Sequence, residues 1–382
     1  MKFRNVCFFL PSANRDGAEL SALECMDAFA ALGAQVRVVL PRGGPLEADL
    51  AARQISYRII PYQVWIEPPV PVWKRAAVTM WNLAVTYATA FMGGRRPCDL
   101  VVTNTININV GALAAKLWGL PHLWYIREFG YEDHGWRFHL GEKISLWLMN
   151  RLSSLCLTVS QAVARKYQAC LDPGKVHFIY QPIDVDLSGR GEIGPQETPP
   201  RFTCIMVGRL QAGKRQEDAV RALAELRAAG VPVRLWLVGD GDPDYRAFLE
   251  DLIHEKSLAG QVRFVGQVNN ALPSIQQADV LLLCSRCEAF ARVVVEAMKA
   301  GKPVLGARSG GTVEQIRDGF NGFLYEPGNY KELAEKIRYL SENPQLAREM
   351  GENGRLWAEA TFTRKRYQDK LARILGELAH HG

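Results

Sequence analysis

Glu288 and Glu296 stand eight residues apart in the stretch Ser285–Gly311, directly after the apolar run Val280–Leu283. The segment Arg292–Ala300 contains neither Gly nor Pro, and its pattern predicts a helix, with Glu288 in the loop before it and Glu296 in its second turn. A helix N-terminus presents unpaired N–H groups and the positive end of the helix dipole, so it attracts phosphate. Carboxylates on either side of such a terminus suit a ligand with a diphosphate in its middle and hydroxyl-rich sugars at both ends, which is the shape of a nucleotide sugar. Upstream, Val207-Gly208-Arg209-Leu210-Gln211-Ala212-Gly213-Lys214-Arg215 follows a second strand-like run. Gly208 lets the backbone turn at the strand end. Arg209 and Lys214 then supply two fixed cations able to neutralise charge growing on a departing diphosphate. Alone, each motif also reads as a solvated helix or a basic surface loop.

The elements that must hold these groups are legible from the apolar runs. Val6–Leu10, Val36–Leu40, Tyr57–Ile60, Leu100–Thr103, Leu123–Arg127, Leu155–Val159 and Val176–Tyr180 are apolar without alternation, as parallel strands covered on both faces are. The pattern restarts at Phe202–Val207 and continues through Val233–Val238, Val262–Val265, Val280–Leu283, Pro303–Leu305 and Gly322–Tyr325. Strands interleaved with helices imply an open α/β sheet in each half. A chain of 382 residues also exceeds one typical core. The expected organisation is an N-terminal Rossmann-like domain over 1–186, a Gly- and Pro-rich linker over 187–200, a second Rossmann-like domain over 201–362, and a helix over 363–382 crossing back to the first domain. Open α/β sheets bind ligands beyond the carboxyl ends of their strands, so the expected site lies where the two halves meet.

In this order and spacing, G-R-L-x-x-x-K, E-x-F-x-R-V-x-x-E-A-M-x-x-G-K-P-V and G-G-x-x-E-x-I-x-D-G-x-N-G-F-L resemble the family-4 retaining glycosyltransferases of GT-B fold. The resemblance covers the second half, including Gly239-Asp240-Gly241 and Val265-Gly266-Gln267-Val268, and is weaker in the first. It implies that Arg209 and Lys214 grip the donor diphosphate, that Glu288 bonds hydroxyls of the transferred sugar, and that Glu296 bonds the nucleotide ribose. Phe290 and Ala291 occupy the stretch whose backbone N–H groups meet the sugar and phosphates, with Arg292 beside them among the donor-binding residues. Ala291 stands where the family usually has glycine. Val268 falls where backbone holds the base, and Gly208 and Gly17 lie against the phosphates. Asp16-Gly17-Ala18-Glu19 resembles the family's G-G-A-E loop, with Asp16 in place of the first glycine and on the acceptor side. Many relatives carry a histidine six residues after Pro121. This chain has Arg127, which stays protonated and cannot serve as a general base near neutral pH. Its expected roles are to orient an anionic group or to pair with Glu128. Glu128 and His134 are expected toward the acceptor.

The reading is therefore a metal-independent, retaining transferase with a UDP- or GDP-type donor, no cofactor, and a glycan or lipid-linked acceptor. Two rivals share the resemblance. A GT-B-fold epimerase would release nucleotide and isomerised sugar without an acceptor, and a non-catalytic binder would hold donor without turnover. A dehydrogenase is disfavoured because no G-x-G-x-x-G follows the first strand of either half. The net charge of +6 lies almost wholly in the first half, yet no basic run or nucleic-acid-binding signature accompanies it. Scattered cysteines inside apolar runs read as buried thiols of a reducing compartment, and Met1 runs straight into a strand, so a cytoplasmic protein is expected. Asp184-Val185-Asp186 spells a metal motif of another fold, and Gly239–Asp244 lacks the glycine a calcium loop needs; both are read as turns. Ala76–Gly94 is uncharged, bracketed by Lys74-Arg75 and Arg95-Arg96. It reads first as a buried or half-buried domain helix, then as a helix on an anionic membrane surface, and least as a span.

Overall fold

Parallel strands buried on both faces must be covered by helices, and the chain builds two such assemblies. The computed structural model describes residues 3–92, 97–187 and 202–381. One compact unit comprises Met1–Ile183 with Phe362–Gly382, and the other comprises Asp184–Thr361. The first boundary falls just ahead of the expected residue 186, because Ile183 is buried and donates its N–H to the Phe362 carbonyl at 3.4 Å. Most of the expected linker, and the basic pair Arg95-Arg96, lie outside the described residues.

Unit 1 contains β1 (Asn5–Phe9), β2 (Gln35–Leu40), β3 (Ser56–Ile59), β4 (Ile66–Glu67), β5 (Leu100–Asn104), β6 (His122–Ile126), β7 (Arg137–Phe138), β8 (Leu155–Thr158) and β9 (Val176–Phe178). Seven of these form a parallel sheet in the order β3-β2-β1-β5-β6-β8-β9, and β4 and β7 pair as a separate antiparallel ribbon. Each anticipated apolar run is a strand, its ends shifted by a residue or two. The ribbon was not anticipated, since two residues carry no periodicity. Phe8 packs edge-on against Phe29 of the helix Gly17–Ala31, with ring centroids 5.5 Å apart. The helix Arg364–His381 packs against that same helix. Its Tyr367 hydroxyl lies 3.1 Å from Cys25 Sγ and 3.3 Å from the Tyr125 hydroxyl, and Leu371, Ile374 and Leu375 are buried. Each such side chain stabilises the contact by about 1.5–3 kcal/mol.

The uncharged segment after Lys74-Arg75 belongs to a helix, Val72–Met92. It is half-buried, the first of the readings given above: Asn82, Val85, Thr86 and Thr89 are buried, and Met80, Tyr87 and Phe91 are exposed. Among the described residues, no helix is long and apolar enough to cross a membrane.

Unit 2 contains β10 (Phe202–Val207), β11 (Val233–Val238), β12 (Val262–Gly266), β13 (Val280–Leu283), β14 (Val304–Ala307) and β15 (Gly322–Tyr325) in the order β12-β11-β10-β13-β14-β15. Numbered within the unit this is 3-2-1-4-5-6, the doubly wound order, whose direction reverses between β10 and β13. Backbones crowd at the carboxyl ends of its strands. A Cβ on Gly239 would stand 2.2 Å from the Gly208 carbonyl, and one on Gly311 would stand 2.1 Å from that of Ala289. Gly208 leaves β10 with φ +149, a conformation that L side chains rarely adopt.

Candidate active site

The strand-order reversal in unit 2 leaves the loops after β10 and β13 side by side, and the candidate residues Arg209, Lys214 and Glu288 come from these two loops. After β10 the chain turns at Gly208, exposes Arg209, and winds through a short 3-10 turn, Ala212–Lys214. Gln216, buried at the start of the next helix, donates to the Arg209 carbonyl at 2.9 Å and fixes the turn. After β13, Arg286 donates its N–H to the Gly213 carbonyl at 3.0 Å, tying the two loops together. Lys214 Nζ then lies 2.7 Å from Glu288 Oε2, with side chains 30% and 16% exposed. Two residues singled out from sequence for opposite ends of a donor sugar phosphate are thus in contact. Arg209 makes no ion pair among the described residues.

The helix that opens after Glu288 spans Arg292–Lys299 and has no side-chain cap. Its start is held from below: the Glu288 carbonyl accepts from Gly311 N–H at 2.6 Å. Gln315 grips Ala291 twice, accepting its N–H and donating to its carbonyl, both at 2.9 Å. This corrects one expectation. The Ala291 N–H is engaged by Gln315 and is not presented to a ligand, and the Ala291 carbonyl also accepts from Val294 N–H at 3.2 Å. Phe290 and Ala291 are buried, Glu296 lies one turn into the helix with its carboxylate 3.9 Å from Arg292 Nε, and Val268 is exposed just after β12. Gln315 was missed because nothing local distinguishes it in G-G-T-V-E-Q; its partner is 24 residues away.

Unit 1, taken by itself, holds a separate constellation at the carboxyl ends of β5 and β6. Arg127 is buried, donates through Nε to Asn104 Oδ1 at 2.6 Å, and stacks its guanidinium 4.0 Å above the Tyr125 ring. Its Nη1 and Nη2 are buried and have no hydrogen-bond partner among the described residues. The expected pairing with Glu128 is corrected too. Glu128 Oε2 instead accepts the backbone N–H groups of Arg127 and Ile106, each at 3.2 Å. In the same unit, Asp16 precedes the helix Gly17–Ala31 without capping it, its carboxylate accepting from Asn14 at 3.4 Å. Gly17 opens that helix, and buried Glu19 accepts from Ser12 at 2.7 Å. His134 stacks on Trp136, with centroids 4.2 Å apart. His122 is a core residue whose pKa burial pushes down to about 3. Asp242 N-caps the helix Pro243–Glu255, which accounts for the Gly239–Asp244 turn. No cluster of three or more His, Cys, Asp or Glu suited to a metal stands among the described residues.

Burial, followed by the neighbouring Asp133 charge, pushes the Glu128 carboxyl up to about 8. A group whose folded pKa is raised contributes stability that is complete below its unfolded value and is lost as pH rises through the folded one. The wild-type urea midpoint therefore falls as pH climbs from the ordinary carboxylate range to beyond about 8. In Glu128→Gln that part of the slope disappears. Parallel pH profiles for the two proteins would show that Glu128 is not the group responsible.

Two family models match the chain: Glycosyltransferase Family 4 over residues 15–187 and Glycosyl transferases group 1 over residues 193–357. The N-acetyl-alpha-D-glucosaminyl L-malate synthase of Bacillus anthracis is 34% identical over 40% of this chain and 39% of its own length. The lipopolysaccharide core biosynthesis glycosyltransferase LpsE of Rhizobium meliloti is 29% identical over 47% of this chain and 51% of its own, so each match spans well under two thirds of the relative. EpsD of Bacillus subtilis is 26% identical over 80% of this chain and 83% of its own. Among solved structures, Anabaena Alr3699/HepE in complex with UDP-glucose superposes with TM-score 0.78 at 25% identity, covering 98% of this chain and 99% of that one. WaaG, a glycosyltransferase involved in lipopolysaccharide biosynthesis, gives TM-score 0.69 at 20% identity, covering 97% and 99%.

Proposed function

The chain belongs to the family-4 glycosyltransferases of GT-B fold, and from that premise we propose that it is a retaining transferase moving a sugar from a nucleoside diphosphate, of the UDP or GDP type, to a glycan or lipid-linked acceptor. The observation that carries this reading is the Lys214–Glu288 contact at the strand-order reversal of unit 2, where doubly wound sheets take their ligands. Unit 2 holds the donor. Its diphosphate meets the amides of Arg292 and Val293 at the helix start together with Arg209 and Lys214, and Glu296 receives the ribose hydroxyls. Glu288, already bonded to Lys214, orients the sugar hydroxyls. The bond from the anomeric carbon to the phosphate oxygen breaks as the acceptor oxygen bonds that carbon from the same face. The acceptor proton passes to the departing phosphate oxygen, and the charge left on the diphosphate is stabilised by Arg209 and Lys214. Arg127, permanently cationic, takes no proton and orients an anionic group of the substrate. The complexes of the Anabaena neighbour with UDP and UDP-glucose support a donor of the uridine type.

Thermal unfolding with UDP-, GDP- and ADP-sugars tests the donor half. A true donor at 100 times its Kd stabilises the fold by about 2.7 kcal/mol. No shift with any of them would remove the basis of the proposal. Anomeric configuration of the product, read by NMR, tests retention.

A further inference from the structure

The helix Val72–Met92 has its polarity inverted. Its protein-facing side carries Asn82, Thr86 and Thr89, all buried, around a single buried aliphatic residue, Val85. Every one of these polar groups is satisfied locally. Asn82 bonds the Gln63 backbone N–H and carbonyl, both at 2.9 Å, and the Thr86 and Thr89 hydroxyls donate to the carbonyls of Asn82 and Val85 at 2.6 and 2.7 Å. The outward side carries Trp73, Met80, Tyr87 and Phe91, exposed by 73, 71, 64 and 90%, with Ala76, Ala77, Ala84 and Ala88 exposed between them. Spacings of three, four and seven residues put these on one stripe, about 27 Å long at the α-helical rise. A surface helix of a globular domain has the reverse arrangement, and an apolar patch of this extent marks a contact surface.

A groove adjoins the stripe. A cavity of about 1130 Å³ opens between this helix and the sheet edge formed by β2 and β3, lined by Trp81, Val85, Ile59 and Trp118. Trp81 and Ala88 belong to both the groove and the exposed face. Arg37 and Arg58 also line it, both exposed, and neither guanidinium has an ion-pair or hydrogen-bond partner among the described residues. Arg75 stands at the helix start beside Lys74, which pairs with Glu67 at 2.9 Å, and the sequence holds no carboxylate between Glu67 and Asp99. Apolar surface, the unpaired guanidinium groups of Arg37 and Arg58, and a helix without acids together match a lipid interface with negative headgroups. A second copy paired symmetrically through this face would set cations against cations.

We propose that the outward stripe of the Val72–Met92 helix and its adjoining groove dock this protein on an anionic bilayer surface, with the helix lying in the interfacial plane and Arg37 and Arg58 receiving a lipid phosphate. The proposal deepens the acceptor half of the reading above by giving lipid-linked acceptors a surface on which to be met. Its test needs no turnover, so failure here leaves the donor chemistry standing, and a failed donor assay leaves this face standing. Full-length protein is sedimented with phosphatidylcholine vesicles with and without phosphatidylglycerol. Wild type partitions onto the anionic vesicles, and salt weakens the binding. Arg37→Glu/Arg58→Glu and Trp73→Ser/Phe91→Ser each lower partitioning about tenfold or more with unchanged circular-dichroism melting, as befits exposed positions. In unaltered protein, brominated acyl chains quench tryptophan emission, and Trp73→Phe loses part of that quenching. The idea is overturned if wild type ignores anionic vesicles, if the variants bind as well as wild type, or if the protein forms a dimer that the stripe variants break while vesicles stay unbound.

Discussion

Replacing Arg209 or Lys214 by alanine lowers kcat about 10²–10³-fold, the cost of removing one preorganised charge-stabilising group, while the unfolding midpoint stays near wild type. The two residues reach that outcome differently. Arg209 is exposed and makes no ion pair among the described residues, so its removal costs the resting fold almost nothing. Lys214 holds Glu288 at 2.7 Å, but both side chains retain solvent contact, and a pair of that kind is worth about 1 kcal/mol or less. The loss therefore falls on the transition state, where charge has moved onto the diphosphate. Its signature is a parallel drop in kcat and kcat/KM, whereas loss of uniform donor binding would raise KM alone. Steady-state kinetics on both single variants, with melting curves alongside, decide between these. Near-wild-type turnover in both would mean that some other group bears the leaving charge, and the assignment of the site would fail with it.

What was legible in the sequence follows from range. The strands were readable because parallel strands buried on both faces are written as unbroken apolar runs, and Cys204, Ile205, Leu281 and Leu282 are all fully or nearly fully buried. The Lys214–Glu288 neighbourhood was readable because both residues belong to collinear motifs that each follow a strand. The Gln315 grip on Ala291 was not, since a side-chain amide bonding both backbone groups of a distant residue leaves no local pattern. Neither was the state of Arg127, which depends on Asn104 being brought alongside by the β5–β6 pairing and on Glu128 turning to backbone N–H groups. The helix Val72–Met92 shows a further limit. Periodicity reveals a stripe but not its direction, and here the small polar residues face the protein while the aromatics face out.

Arg127→Met should cost catalysis heavily and stability not at all. In the resting fold the guanidinium is buried with two nitrogens unbonded among the described residues, and orphaned donors cost about 1–3 kcal/mol each. Substitution removes both. Against that, it forfeits the stacking on Tyr125, worth about 0.5–2 kcal/mol, and leaves Asn104 Oδ1 without its donor, a penalty of about 1–3 kcal/mol. The terms nearly cancel, so melting of the variant should match or exceed wild type. An arginine kept at no profit to the fold is kept for what binds its free nitrogens, and its fork suits a planar or tetrahedral anion. kcat/KM should fall about 10²-fold or more, the loss of a charge-stabilising group in a desolvated site. Arg127→Lys retains the charge but cannot place donors at both positions, so it should recover little of the loss. If Arg127→Met melts several degrees lower with kcat/KM intact, the residue is a structural cation, and the anion-orienting role assigned to it is wrong.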